Sequence, residues 1–272
     1  MYDSPILKPV MPYEPDALLS KRAADARRDG RPEEIVRLSN LWFVDASRGQ
    51  AELDEKAEEL IWLATLLMAG TSKPGRKPRL DFFLMHMVTS SLFVPSLLRV
   101  IPTLESKVTL VRAVLPVILM YTTVRGRPRI DPGLLMSYPA TPRPPARQGL
   151  ASCQRNASAV GDPAQDEYVN PWPEIVASIL HTPETHAIKT IRTLYYAAQK
   201  YGTTPPGGVI GAFRRDGTET HEGAAKLDGT IFVRAAGAVM NTLGWVSHGQ
   251  KQGTWDRSAL GWDDAWNNAD EE

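Results

Sequence analysis

The sequence predicts an all-α protein, an irregular multi-helix domain joined by long proline- and glycine-rich loops. Three observations carry that expectation. Apolar residues recur at three- and four-residue intervals in several stretches, those stretches carry helix start and stop signals, and the joints between them are dense in proline. With 272 residues, 43% of them hydrophobic, the chain can bury a substantial core. It is read as one domain over 1–272, with an irregular loop or insertion over 125–170.

In chain order, "DALLSKRAADARRDG" from Asp16 sets Leu18, Leu19 and alanines among basic residues and stops at Gly30, an ordinary helix end. "RPEEIVRLSNLWFV" restarts with Pro32 in a first-turn position and acids behind it. "AELDEKAEELIWLATLLMAG" places Leu53, Ala57, Leu60, Ile61, Ala64 and Leu67 on one helical face and ends at Gly70. After the basic turn "TSKPGRKPR" comes "FFLMHMVTSSLFVPSLL", with no charged residue between Phe82 and Leu98. Its length touches the lower edge of a membrane span, but His86, Thr89, Ser90, Ser91 and Pro95 suit a buried core helix better. The run from Val108 to Tyr121 follows.

From Arg125 the texture changes, with six prolines among "RGRPRIDPGLLMSYPATPRPPARQG" and no apolar periodicity in the stretch after it. Helical signals return at "PWPEIVASILHT" and "TPETHAIKTIRTLYYAAQKYG". Thr182 is the expected N-cap of the latter, with Pro183 at its first position and Gly202 beyond its end. "KLDGTIFVRAAGAVMNTLGWV" reads as the last long helix. The tail, holding Trp255, Trp262 and Trp266 beside Trp245, is expected to fold back over the body.

Charge and cysteine content narrow the function classes. Lys plus Arg and Asp plus Glu are 31 each, so no overall field recruits nucleic acid or an anionic membrane. Cys153 stands alone and the first residues lack a secretory signal, which sets an intracellular, cytoplasmic expectation. Dinucleotide and phosphate loops, the serine elbow, "HExxH" and zinc cysteine clusters are absent.

The remaining candidates are histidines on helices. His86 shares a narrow polar stripe with Thr89 and Ser90; it is either a satisfied core histidine or a neutral imidazole that ligates a metal or moves a proton. Asp81, five residues earlier, suits the N-cap. His186 and Lys189 lie opposite the apolar arc of Ile188, Ile191, Leu194, Tyr195 and Ala198. Periodicity therefore makes them a solvated pair, whereas a buried lysine there would titrate low and react with carbon dioxide to give a carbamate oxygen ligand. His181 suits a helix C-terminus, and His221 and His248 sit in polar loops.

The stretches "KPRLDFFLMHMVTSSLFVPSLL", "PWPEIVASILHTPETHAIKTIRTLYYAAQKYG" and "GTWDRSALGWDDAW" together resemble the fungal questin oxidase-like family, which includes aflatoxin-pathway oxidoreductases. The resemblance implies a helical oxidoreductase or monooxygenase of secondary metabolism. Such an enzyme oxidises an anthraquinone-like polyketide with dioxygen, by Baeyer–Villiger-type insertion or ring cleavage, with NADPH as reductant. It also implies non-haem iron held by histidines and a carboxylated lysine; carried over by motif, His86, His186 and Lys189 are three of the ligands. The family's long N-terminal helical region, with an "NHxxHH"-like stretch, has no counterpart before His86. The competing expectation is therefore a truncated, non-catalytic helical scaffold or binding protein.

Overall fold

A computed structural model describes residues 1–8, 11–145 and 170–267. The chain divides into two compact units, one of Met1–Asp131 with Asp256–Glu272 and one of Pro132–Trp255. The described residues are helical, joined by turns, with isolated bridges in place of strands.

The first unit is built on α3 (Gln50–Ala69), which packs against α4 (Phe82–Ser91) and α6 (Leu104–Val124). All six residues expected on the inner face of α3 are buried, and Trp62 and Met68 are buried with them. α1 (Leu19–Ala26) and α2 (Arg31–Asn40) lie on α6. α1 is shorter than its sequence suggests: it stops at Ala26, and Asp29 and Gly30 then take positive φ to turn the chain into α2. Pro32 sits in the first turn of α2 as expected.

The uncharged run after Asp81 is two helices, α4 and then α5 (Phe93–Val100). α4 buries Leu84, Met85, Met87 and Val88, while Phe93, Leu97 and Val100 of α5 stay exposed. The core expectation thus holds for one half of the run. By length and composition Phe82–Val100 and Leu104–Val124 could each cross a bilayer.

The aromatic tail folds onto its own unit. Trp262 and Trp266 are buried, and Trp262 Nε1 donates to the Met11 carbonyl. Gly126, at φ +80°, lets the Trp262 ring lie directly on its Cα.

In the second unit α7 (Pro132–Ser137) and α9 (Thr185–Tyr201) pack on α10 (Ile231–Val239), whose Ile231, Phe232, Ala235, Ala236 and Val239 are buried, and α8 (Trp172–Ile179) packs on α9 and on the turns that follow Val239. α7 supplies regular structure inside the segment expected to be irregular over 125–170; residues 146–169 of that segment, with Cys153, lie outside the described residues. The last long helix is regular only to Val239. It widens into a π turn over Met240–Gly244 and tightens into a 3₁₀ turn over Trp245–His248.

Two local expectations shift in α9. Glu184, not Thr182, is the N-cap, its carboxylate accepting from the His186 amide. Thr182 is occupied elsewhere, donating to the Leu243 carbonyl. The buried stripe is Ala187, Thr190, Ile191, Leu194 and Ala197, with Tyr195 exposed. Threonine enters because the Thr190 hydroxyl donates to the His186 carbonyl at 2.8 Å and so is satisfied inside its own helix.

Candidate functional site

His86 stands one turn into α4, half-exposed. Asp81 begins this helix as expected, its Oδ1 accepting from the amides of Phe83 (2.8 Å) and Leu84 (3.1 Å). Its other oxygen accepts from Arg125 Nε at 2.7 Å, and both side chains are fully buried. Burial pushes the Asp81 carboxyl up from the usual range, against the pull of Arg125 and the two amides. The guanidinium carbon of Arg125 lies 4.6 Å from the centre of the Phe83 ring, so the start of α4 is held from beneath.

From that fixed start the imidazole of His86 reaches back to its own helix. Its Nδ1 is 2.7 Å from the Phe82 carbonyl, and its ring meets the edge of Phe82 with centroids 4.7 Å apart. A carbonyl can only accept, so Nδ1 carries the proton and Nε2 is the lone-pair nitrogen of the neutral ring.

His186, in the first turn of α9, is wired alike by a different partner. Its Nδ1 lies 2.7 Å from Glu184 Oε1, and the carboxylate holds the proton on Nδ1. Nε2 is again the nitrogen left with the lone pair. Lys189, one turn on, is exposed; the buried setting that would favour a neutral amine and a carbamate is not what surrounds it. His86 belongs to the first unit, and His186 with Lys189 to the second.

For a metal, the donor chemistry fits at the two imidazoles. An Nδ1 proton held by a carbonyl or carboxylate, with Nε2 turned to the ligand, is the usual state of a metal-bound histidine. No group of three or more His, Cys, Asp or Glu side chains that could hold a metal ion occurs among the described residues.

The other histidines are less loosely placed than polar loops suggest. His248 ends the Trp245–His248 turn, with Nε2 2.8 Å from Glu174 Oε1 and 3.0 Å from the buried Ser178 hydroxyl. One nitrogen faces both partners, so the cluster is a tie between this turn and α8, not a relay through the ring. His181 is exposed at the end of α8, and His221 is half-buried.

Sequence reasoning missed two residues, one in each unit, that stand beside the candidate histidines. Glu184 looked like a first-turn acid and is the orienting carboxylate of His186. Arg257, in the tail, sits with its guanidinium carbon 3.6 Å from the centre of the Phe82 ring. The "WDR" run in an aromatic tail was the available signal, but its partner lies far away in sequence.

The questin oxidase-like family model matches residues 3–194. A Baeyer-Villiger oxidase of Paecilomyces divaricatus is 26% identical over 147 residues, which are 53% of this chain and 27% of that protein. The chain thus spans about a quarter of the length of this curated relative. The family match takes in His86, His186 and Lys189 and stops short of the tail, so the likeness read in "GTWDRSALGWDDAW" lies beyond it. With most of its length matched, the chain belongs to the questin oxidase-like family.

Proposed function

We propose that the chain acts in the oxidation of an anthraquinone-like polyketide by dioxygen, by Baeyer–Villiger-type insertion or ring cleavage. In the insertion, one oxygen atom enters the bond beside a ring carbonyl. The other leaves as water, with two electrons from NADPH and the accompanying proton. The observation that carries the reading is the shared wiring of His86 and His186 in a chain of this family: each imidazole sets its Nδ1 against an oxygen of its own helix start, the Phe82 carbonyl or the Glu184 carboxylate. An Nε2 lone pair either accepts a proton from a phenolic substrate or binds a metal.

His86, His186 and a carboxylated Lys189 are the proposed ligands of a non-haem iron, which would supply the one-electron chemistry that dioxygen needs. The Phe82 carbonyl and the Glu184 carboxylate would keep those two rings oriented and basic, as outer-shell partners do.

The test is the metal content of the purified chain, for wild type and for His86→Ala, His186→Ala and Lys189→Ala, together with turnover of a hydroxyanthraquinone under ¹⁸O₂. Bound iron lost in each variant and one labelled oxygen in the product are expected. A wild type that holds no iron and transfers no label overturns the proposal. That outcome would favour the second reading, a non-catalytic helical binding protein. The exposure of Lys189 and the lack of a three-residue His, Cys, Asp or Glu group among the described residues speak for it.

A further inference from the structure

We propose that Arg257 is the substrate-anion receptor beside His86, so that the surface formed by Arg257, Phe82 and His86 selects a planar aromatic carrying an ionised oxygen. The inference rests on His86 belonging to the reaction site proposed above and adds the charge state of the substrate.

The backbone places Arg257. The Phe82 amide donates to the Asp256 carbonyl at 2.7 Å, and the Asp256 amide donates to the Leu80 carbonyl at 2.8 Å. The tail is therefore registered against the first residue of α4. The Asp256 side chain is held as well, by Arg79 Nε at 2.8 Å and by the Ser258 amide and hydroxyl.

Charge matching then singles out Arg257. Between residues 79 and 98 and between 254 and 260 the acids are Asp81 and Asp256. Asp81 is matched by Arg125 and Asp256 by Arg79, which leaves Arg257 as the cation of this surface. It is exposed, and none of the described residues accepts a hydrogen bond from it.

Stacking orients the group. A guanidinium lying over a ring uses its face, and its N–H bonds stay in the guanidinium plane, directed to the rim. Phe82 thus carries the planar donor group of Arg257 over its ring and meets the His86 ring edge-on at 4.7 Å. A planar aromatic ligand would give its ionised oxygen to Arg257. Its rings would follow the helix face from Phe82 past Thr89 and Ser90 toward the exposed Phe93.

The test is binding alone, with anthraquinone-2-carboxylate and the uncharged anthraquinone-2-carboxamide titrated against the full chain by isothermal calorimetry. Wild type is expected to prefer the carboxylate at least tenfold, with a preference that shrinks as salt rises. Arg257→Gln removes the preference and leaves carboxamide binding within twofold, while Arg257→Lys, which keeps the charge, retains the larger part of it. Failure of wild type to bind the carboxylate, equal affinity for the two probes, or an equal loss of both in Arg257→Gln overturns the assignment. So does an Arg257→Lys variant as unselective as the glutamine one. No turnover is needed: a preference without ¹⁸O transfer sinks the oxidase reading and keeps this one, and transfer without a preference does the reverse.

Discussion

Replacing Arg125 by methionine removes the cation hydrogen-bonded to the buried carboxylate of Asp81. The pair is fully covered, with Arg125 Nε 2.7 Å from Asp81 Oδ2, and the same carboxylate caps α4 through two amides. Breaking a buried ion pair from one side costs about 3–5 kcal/mol, because the remaining charge keeps its desolvation penalty. For a unit of this size that is a fall in melting temperature on the order of 10 °C.

The pH dependence separates this cause from lost packing. Burial already raises the folded-state pKa of Asp81 above its unfolded value, and removing Arg125 takes away the strongest force opposing that rise. A raised folded-state pKa gives a stability contribution that is full below the unfolded value near 3.8 and is lost as pH rises through the folded value. Arg125→Met is therefore least penalised at acid pH, where Asp81 takes a proton. Its deficit widens toward neutrality. The double variant Asp81→Asn/Arg125→Met, which keeps a capping oxygen and leaves no stranded charge, should recover most of the loss. Calorimetric melts of wild type, Arg125→Met and the double variant between pH 4 and 8 provide the measurement. A deficit for Arg125→Met below about 1 kcal/mol, or one that does not change with pH, would refute the reasoning.

Two further outcomes follow from local geometry. Gly126→Ala would put a Cβ 2.2 Å from Trp262 Cε3 at a residue with φ +80°, so ring displacement and backbone strain together should cost about 2–4 kcal/mol, read from urea unfolding followed by tryptophan fluorescence. Glu34 accepts from Ser4 and from two nitrogens of Arg37, and these bonds, Arg37 first, hold its pKa down at about 2. Its stabilising contribution is present above the unfolded value of 4.5 and lost as pH falls through about 2. The stability gap between wild type and Glu34→Gln should therefore close over that acid range, and a gap that persists at the acid end would show that charge is not its source.

What was legible in the sequence divides by the range of the interactions. α3 was readable residue by residue because its inner face repeats at helical spacing and nothing else competes for those side chains. The Asp81 cap was readable because a cap acts within three residues. The start of α9 was not, since Thr182 has the right chemistry for a cap and spends its hydroxyl on Leu243, 61 positions away. The buried face of α9 was turned for a related reason: a periodicity count treats Thr190 as polar, although its hydrogen bond is made within the helix. No residue pattern announces the π turn over Met240–Gly244, which ends at a glycine whose added Cβ would strike the Met240 side chain.

The same division runs through the candidate site and says which part of its chemistry is robust. The nitrogen that carries the lone pair is set at His86 by a carbonyl four residues back and at His186 by a carboxylate two residues back. Both are contacts inside a single helical turn. Neither contact reaches outside the start of its own helix, so the position of the Nδ1 proton is set locally by the Phe82 carbonyl and the Glu184 carboxylate. The charge that would choose a substrate is the opposite case. Arg257 meets Phe82 across 175 positions, through a tail held by backbone hydrogen bonds to Leu80 and Phe82, and it disappears from the site if that tail detaches. Deleting the tail from Asp256 onward should therefore weaken selection of anionic aromatics. The proton would stay on Nδ1 of His186, whose unit the deletion does not cut, and ¹⁵N chemical shifts of that ring would show it.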